Sequence, residues 1–347
     1  MRRRIKYNGR KETNEDGDPL LPQDSKAIYG GQAVIEGVMF AGKHVNVTAV
    51  RRKNNDIVFY EVPKSSPRWV QNLKKIPLVR GVVGIVESSA KGSQHLNFSA
   101  EAYAEDEGES EGKKDQTAQA ASPPKKEEKS GWNLTMILGV AVMGVLSFVF
   151  GKLVFTVVPA VLEELIFGSS FSIFVHNLIE GLIKIIFLLT YLYLISLTPI
   201  VKRLFQYHGA EHKVISAYEA GEELTVKNVQ KYTRLHYRCG SSFIILSVII
   251  GVIIYSFFQW DSLWQRVYLR VLLLPLVLGV SYEALRFTNA LRDTPVLRFL
   301  GYPGLWLQLL TTKEPTDDQV AVSIASFNRM RELDGQMAEP KLGQSAV

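Results

Sequence analysis

The 347-residue chain has one cysteine, Cys239. A single thiol permits no intramolecular disulfide and excludes a four-cysteine zinc site, which fits a reducing compartment. The basic start, Met1-Arg2-Arg3-Arg4, is followed by mostly polar sequence up to Ser25 rather than by an apolar run, so it is not expected to act as a signal peptide. Glycine-rich phosphate-loop and dinucleotide spacings are missing, and with them the support for nucleotide binding. No basic cluster is interleaved with aromatics, as single-strand binding needs. The formal net charge of +6 is therefore assigned to lysines and arginines at a membrane face, and nucleic acid is not an expected partner. There is no internal repeat and no heptad.

What is present is two materials joined end to end. The average of 47% apolar residues conceals a polar first third followed by runs too apolar for a soluble fold. Residues 134–161 carry one charge, Lys152, over a length that exceeds the roughly 20 residues needed to cross about 30 Å of hydrocarbon. Similar runs occupy 171–201, 241–260 and 267–285, which makes four expected spans. The connection after the second run holds Lys202, Arg203, Lys213, Lys227, Lys231, Arg234 and Arg238, whereas the link 162–170 holds Glu163 and Glu164 with no Lys or Arg. Positive charge marks the cytoplasm, so both termini and the 202–239 insertion are expected on that side. Within the second run Glu180 and Lys184 lie four residues apart on one helix face and can pair, with His176 one turn earlier. Glu283, near the end of the fourth run, is a further candidate functional carboxylate, or the partner of Arg286.

The polar third contains a small domain. Residues 45–52 and 57–62 alternate and are rich in β-branched and aromatic residues, and Lys53-Asn54-Asn55-Asp56 between them is turn chemistry, so the pair reads as a hairpin. Two strands alone are not stable, and the amphipathic pattern of 78–98 (Val79, Val82, Val83, Val86, Ala90, Leu96) is the expected packing partner. Before the hairpin, Gly30-Gly31-Gln32-Ala33-Val34-Ile35-Glu36-Gly37 reads as a structured turn, or as a loop that delivers Glu36 or Gln32 to a site elsewhere. From residue 101 to about 130 the chain is acidic, then rich in Ala, Gln, Pro and Lys, and is expected to be disordered. At the other end, Thr316 and Gln319 form a capping-box pattern ahead of an apolar stripe of Val320, Ile324 and Phe327, predicting a helix that docks on the soluble domain or the histidine helix.

The densest chemistry lies between the second and third apolar runs. His208-Gly209-Ala210-Glu211-His212 is followed 24 residues later by His236-Tyr237-Arg238-Cys239, so half of the six histidines and the only thiol share about 32 residues. On a helix closed near Gly221, His208, Glu211 and His212 occupy i, i+3 and i+4 and leave one face. Imidazole and thiolate are the donors zinc prefers, and His-x-x-Glu-His is the reversed zinc-peptidase motif, whose glutamate serves as general base. The expected metal, most simply zinc, would be held by His208, His212, His236 and Cys239, with Glu283 as an outside donor and Glu211 as catalytic carboxylate. Four ligands would close the site and make it structural; three would leave it open for chemistry. Cys239 activated by His236 and Arg238 as a nucleophile is a third option.

Gly30-Gly-Gln-Ala-Val-Ile-Glu-Gly-Val-Met39, Pro77-Leu-Val-Arg-Gly-Val-Val83, His208-Gly-Ala-Glu-His-Lys213 and Arg238-Cys-Gly-Ser-Ser-Phe243 together resemble the YqhQ-like family of bacterial membrane proteins. The resemblance covers residues 28–330 in order. It implies a bacterial inner-membrane protein; members are a domain of unknown function, sometimes described as metal-dependent enzymes.

The expected fold class is an α-helical integral membrane protein with about four transmembrane helices and a small α+β cytosolic N-terminal domain. Its expected organisation is a disordered start (1–27), a hairpin-plus-helix domain (28–100), a disordered charged linker (101–131), a membrane domain (132–290) carrying the His/Cys insertion (202–239), an interfacial segment with an amphipathic helix (291–334), and a loose tail (335–347). The expected partners are the lipid bilayer and other membrane proteins or a second copy of the chain. Two functions stand open: a metal-dependent hydrolase, and a non-enzymatic scaffold or assembly factor in which the same residues are structural. A small carrier ranks behind both.

Overall fold

The computed structural model describes residues 29–112, 151, 154–155, 157–168, 171–237, 239–291, 294 and 297–338. Most of the first expected span, the start 1–27, residues 113–131 of the linker and the tail from 339 lie outside the described residues.

Four strands, β1 (Gly30–Val34), β2 (Gly37–Ala41), β3 (Val45–Arg51) and β4 (Ile57–Pro63), form one antiparallel sheet in chain order. The hairpin expected from residues 45–62 is β3 and β4, in register from Val45↔Pro63 to Arg51↔Ile57. The segment read as a turn is instead a second hairpin, with Gln32 opposite Met39 and a two-residue turn at Ile35-Glu36. Its glycines weakened the strand pattern, but Val34, Val38 and Phe40 still point to buried faces. Every side chain of β3 from Val45 to Val50 is buried because both faces of the sheet are covered.

On one face, α10 (Asp317–Ala338) and α4 (Pro199–Glu219) enclose the main core. Phe327 lies fully buried at its centre, edge-on to Tyr29, Phe40 and Tyr218 with ring centroids 5.2, 5.0 and 5.0 Å away. Such a site costs about 3–5 kcal/mol when the ring is truncated to alanine. The expected capping box starts α10: the Thr316 N–H donates to Gln319 Oε1 (2.9 Å) and the Gln319 N–H to Thr316 Oγ1 (3.4 Å). Asp334 near its far end accepts from the N–H groups of Lys43, His44 and Val45 and so locks the β2–β3 turn onto the helix.

The short helix α1 (Arg68–Leu73) leads into α2 (Val79–Gly112), which covers the other face with Ala102, Ser99 and His95, the last 2.6 Å from Thr48. This helix extends past residue 101, where composition placed the start of disorder; Ala and Glu there are good helix formers. The apolar stripe expected to meet the hairpin does so only in part. Val86 is 64% exposed, and the first turns pack instead against the later helix Leu274–Ala290, with Gly81 against the Tyr282 ring.

The apolar part contains residues 157–167, helical, and α3 (Ile173–Ser196), α6 (Gly240–Tyr255), α7 (Leu263–Leu272), α8 (Leu274–Ala290), a 3-10 turn (Leu297–Gly301) and α9 (Tyr302–Thr311). Among the described residues only α3 alone is long and apolar enough to cross a bilayer; α7 and α8 meet that test jointly across a 52° bend, and α6 has 16 residues. Among the described residues the four-span count is therefore not confirmed: Leu273 and Pro275 break the run 267–285, and the third run falls short at Tyr255. Pro199 opens α4 rather than bending α3, in the first-turn position where a missing N–H has no helical partner to lose.

Candidate metal centre

Helix α4 carries His208, Glu211 and His212 on one face, as the spacing requires. Gly209 between them is needed because the backbone at Lys313 crosses there, its N–H donating to Phe205 O (2.9 Å), and a Cβ would meet the Lys313 carbonyl. After α4 the chain forms α5 (Val226–Gln230), capped by Thr225, and returns to α6 through residues 231–239. The excursion is pinned to the segment before α10: Lys213 and Arg234 pair with Glu314 (2.8 and 3.2 Å), and Gln230 donates to Pro315 O and Asp317.

That return places Cys239 at the N-cap of α6, with Sγ 3.2 Å from His208 Nε2. The Nδ1 of His208 stands 2.8 Å from Thr311 O, and the Nδ1 of His212 stands 2.6 Å from Arg234 O. A carbonyl only accepts, so in both rings Nδ1 carries the proton and Nε2 keeps its lone pair. This is the outer arrangement that fixes metal-ligating histidines. The two rings lie 4.4 Å apart, and one donor atom from each of His208, His212 and Cys239 lies within 4.8 Å of the others. Tetrahedral zinc with ordinary bond lengths spaces such atoms about 3.3–3.7 Å apart, so a small closing motion suffices. Burial, and then His208, hold His212 well below the usual imidazole range, in the neutral form a metal requires. Burial pushes the Cys239 thiol up, against the two bonds from Ser241; Cys239 faces His208, and a nucleophile activated by His236 finds no support in this arrangement.

His236 is buried beside the triad, its ring 5.6 Å from His212, but it is not one of the three converging donors; its Nε2 is 3.9 Å from Glu219. Glu283 is elsewhere. It forms a two-pronged ion pair with Arg80 on α2 and accepts from the Leu78 N–H (3.4 Å), a partner 203 residues away in sequence that replaces the expected Arg286. Glu36 is also absent from the site: in the β1–β2 turn at φ 53°, it binds the Arg203 guanidinium and clamps the hairpin to α4.

The triad opens on a cavity of about 330 Å³ walled by Gly30, Gly31 and Gln32 of β1, by Glu211 and His236, and by Ser241. Gly31 is required, because a Cβ there would meet both the Met39 carbonyl and the Glu211 side chain. Glu211 is buried, and burial pushes its carboxyl up to about 7, while His208 and the Gly31 N–H pull it down and Cys239 raises it. Sequence reasoning missed the residue that shapes the return. Gln308 on α9, fully buried, accepts from the His236 N–H (2.8 Å) and donates to His236 O (2.7 Å) and Ser242 Oγ (3.1 Å). A lone glutamine in an apolar run carries no spacing that would reveal it.

A profile of the family described as "Protein of unknown function (DUF1385)" matches residues 76–333. The chain is 52% identical over 307 residues to the uncharacterized protein YqhQ of Bacillus subtilis (strain 168), covering 88% of this chain and 93% of that one. No solved structure matches.

Proposed function

Since the chain belongs to the DUF1385, YqhQ-like family, whose function is open, we propose that it is a multi-pass bacterial inner-membrane protein. In this reading its cytosolic face carries an open divalent-metal site, most simply zinc, that serves hydrolysis. The observation that carries the chemistry is the three-donor set of His208, His212 and Cys239 facing a cavity that also holds Glu211. Three protein ligands leave a coordination position free. A bound divalent ion supplies Lewis-acid polarisation of a carbonyl or phosphoryl oxygen. Glu211, buried on the wall of the same cavity, is placed to take the proton of an attacking water and return it, as a general base and acid would. The β1 wall and the buried Cys239 at the start of α6 line the cavity beside Glu211.

The membrane reading is supported by the surface of α3. Only 22% of its apolar window is buried, and Leu178, Leu182, Ile186 and Leu194 are more than half exposed. A soluble core helix of that composition would be covered. The basic connection after α3 supports a cytosolic site, with both termini on that side.

A second reading rests on His236, buried beside His212: if its ring turns in as a fourth ligand, the site is closed and the protein is a scaffold. The test uses full-length protein in neutral detergent. One equivalent of metal is expected by mass spectrometry of the elements, lost in His208→Ala, His212→Ala and Cys239→Ser but kept in His236→Ala and Glu211→Gln. With Co(II) in the site, acetohydroxamate should shift the visible spectrum by entering the open position. An unchanged spectrum with metal lost in His236→Ala favours the scaffold. Wild-type protein that is folded and takes up no metal on reconstitution overturns both.

A further inference from the structure

Sharing no lining residue with the His/Cys cavity, a second cavity of about 580 Å³ runs along α3 between α6, α7 and α8. Its volume falls in the roughly 300–1,000 Å³ range of small-ligand sites. The lining is sharply divided. One end has Asn177, Glu180, Lys184, Tyr255 and Arg270; apart from Ser247 and the Tyr191 hydroxyl the rest is apolar, with Leu188, Leu192, Val248 and Leu278 among its walls. From Asn177 to Tyr191 the cavity follows 14 residues of α3, or about 21 Å at helical rise.

The polar end belongs to an ionic network that joins three parts of the chain. Glu180 Oε2 accepts from Arg266 (2.5 Å) and from Arg270, and its Oε1 is 3.6 Å from Lys184. Arg266 also binds Glu163 (2.9 Å), whose other oxygen meets His176 Nδ1 at 2.5 Å. The exposed Glu164 is 3.6 Å from Arg266, and Asn177 accepts from Arg270 (3.1 Å). Arg270, 5% exposed, also stacks its guanidinium over the Tyr255 ring. Among the described residues, Arg270 Nε is buried with no hydrogen-bond partner. Thus one carboxylate, Glu180, is shared by three cations, two of which line the cavity. Of the charged side chains that line the cavity, Lys184 and Arg270 are positive and Glu180 is negative, so the wall where the apolar channel begins favours an anion.

We propose that this cavity binds an anionic amphiphile, a single acyl chain bearing a carboxylate or phosphate head, with the head at Arg270 and Lys184 and the chain along α3 toward Tyr191. The proposal rests on the membrane reading only for the ligand's source, the bilayer. A free anion without a chain would leave the apolar length unused.

Full-length protein in neutral maltoside detergent is titrated with 11-dansylaminoundecanoic acid, and binding is read by fluorescence. Saturable enhancement is expected, with displacement by oleic acid and 1-oleoyl lysophosphatidic acid, and not by oleyl alcohol or inorganic phosphate. Lys184→Met should weaken binding by about tenfold or more, the effect of one hydrogen bond to a charged group, and Lys184→Arg should retain it. Val248→Phe, which fills the apolar wall and leaves the network untouched, should abolish it. Equal displacement by the neutral alcohol, displacement by phosphate alone, or wild-type binding by Val248→Phe overturns the proposal. Failure of the membrane reading is separately visible: protein that stays monodisperse after detergent removal refutes that reading, whether or not the acid binds.

Discussion

Gln308→Leu is the most informative single change, because it keeps the buried volume of α9 and removes only polar contacts. The backbone N–H and C=O of His236 and the Ser242 hydroxyl lose their partner. A buried backbone group left unpaired costs about 1–3 kcal/mol. With two such groups, and some return from apolar burial, the expected loss of stability is about 2–4 kcal/mol. Because the loss is local to the return carrying Cys239, it should appear first as opening of that segment. The chain has only one cysteine, so maleimide labelling of purified protein reports Cys239 and nothing else. At 1.4 kcal/mol per factor of ten, labelling should accelerate by about 30-fold to several hundredfold. Metal affinity should fall by about 10–100-fold, as for other partners of ligand-bearing segments. Labelling at the wild-type rate, with an unfolding midpoint displaced by less than about 0.5 kcal/mol, would show that Gln308 does not hold the return and refute the reasoning.

Three further outcomes follow from other contacts. Asp334→Ala removes the acceptor of three N–H groups in the β2–β3 turn and should cost about 3 kcal/mol in chemical denaturation, with Asp334→Asn losing less because one oxygen persists. Burial lowers His95 from 6.5 to about 4, so the unfolded chain takes up its proton at a higher pH than the folded one. The stabilisation is therefore complete above pH 6.5 and declines toward pH 4; between pH 7.5 and 5 the wild type should lose about 2 kcal/mol more than His95→Gln. Gly31→Val should part β1 from β2 at the Met39 carbonyl and displace Glu211, read as lower stability together with loss of bound metal; a variant of wild-type stability that retains metal would refute the close approach.

How far the chain could be read depended on how local each signal was. The facing of His208, Glu211 and His212 is a property of helical pitch, and the capping box at Thr316 is a property of three consecutive residues, so both were legible. Cys239 was also visible as the one thiol near a histidine. The Gly30–Val34 strand was read as a turn because its glycines have no side chains to show alternation. Glu283 was misplaced because a carboxylate in an apolar run announces a partner without saying which, and Arg80 lies in a helix 203 residues earlier. The positive partners of Glu180 were equally hidden: Lys184, at helical spacing, was seen, whereas Arg266 and Arg270 are more than 80 residues away.

By itself the amino-acid sequence determined which donors share a helix face, where helices begin, and that a polar third is joined to an apolar remainder, since these follow from periodicity and composition. Tertiary structure alone decided which donors converge. It brought Cys239 to His208, held His236 to one side through Gln308, and set β1 across the cavity over Glu211. The physical reason is that metal geometry and carboxyl burial depend on distances of a few ångströms between segments far apart in the chain, and only packing sets those distances.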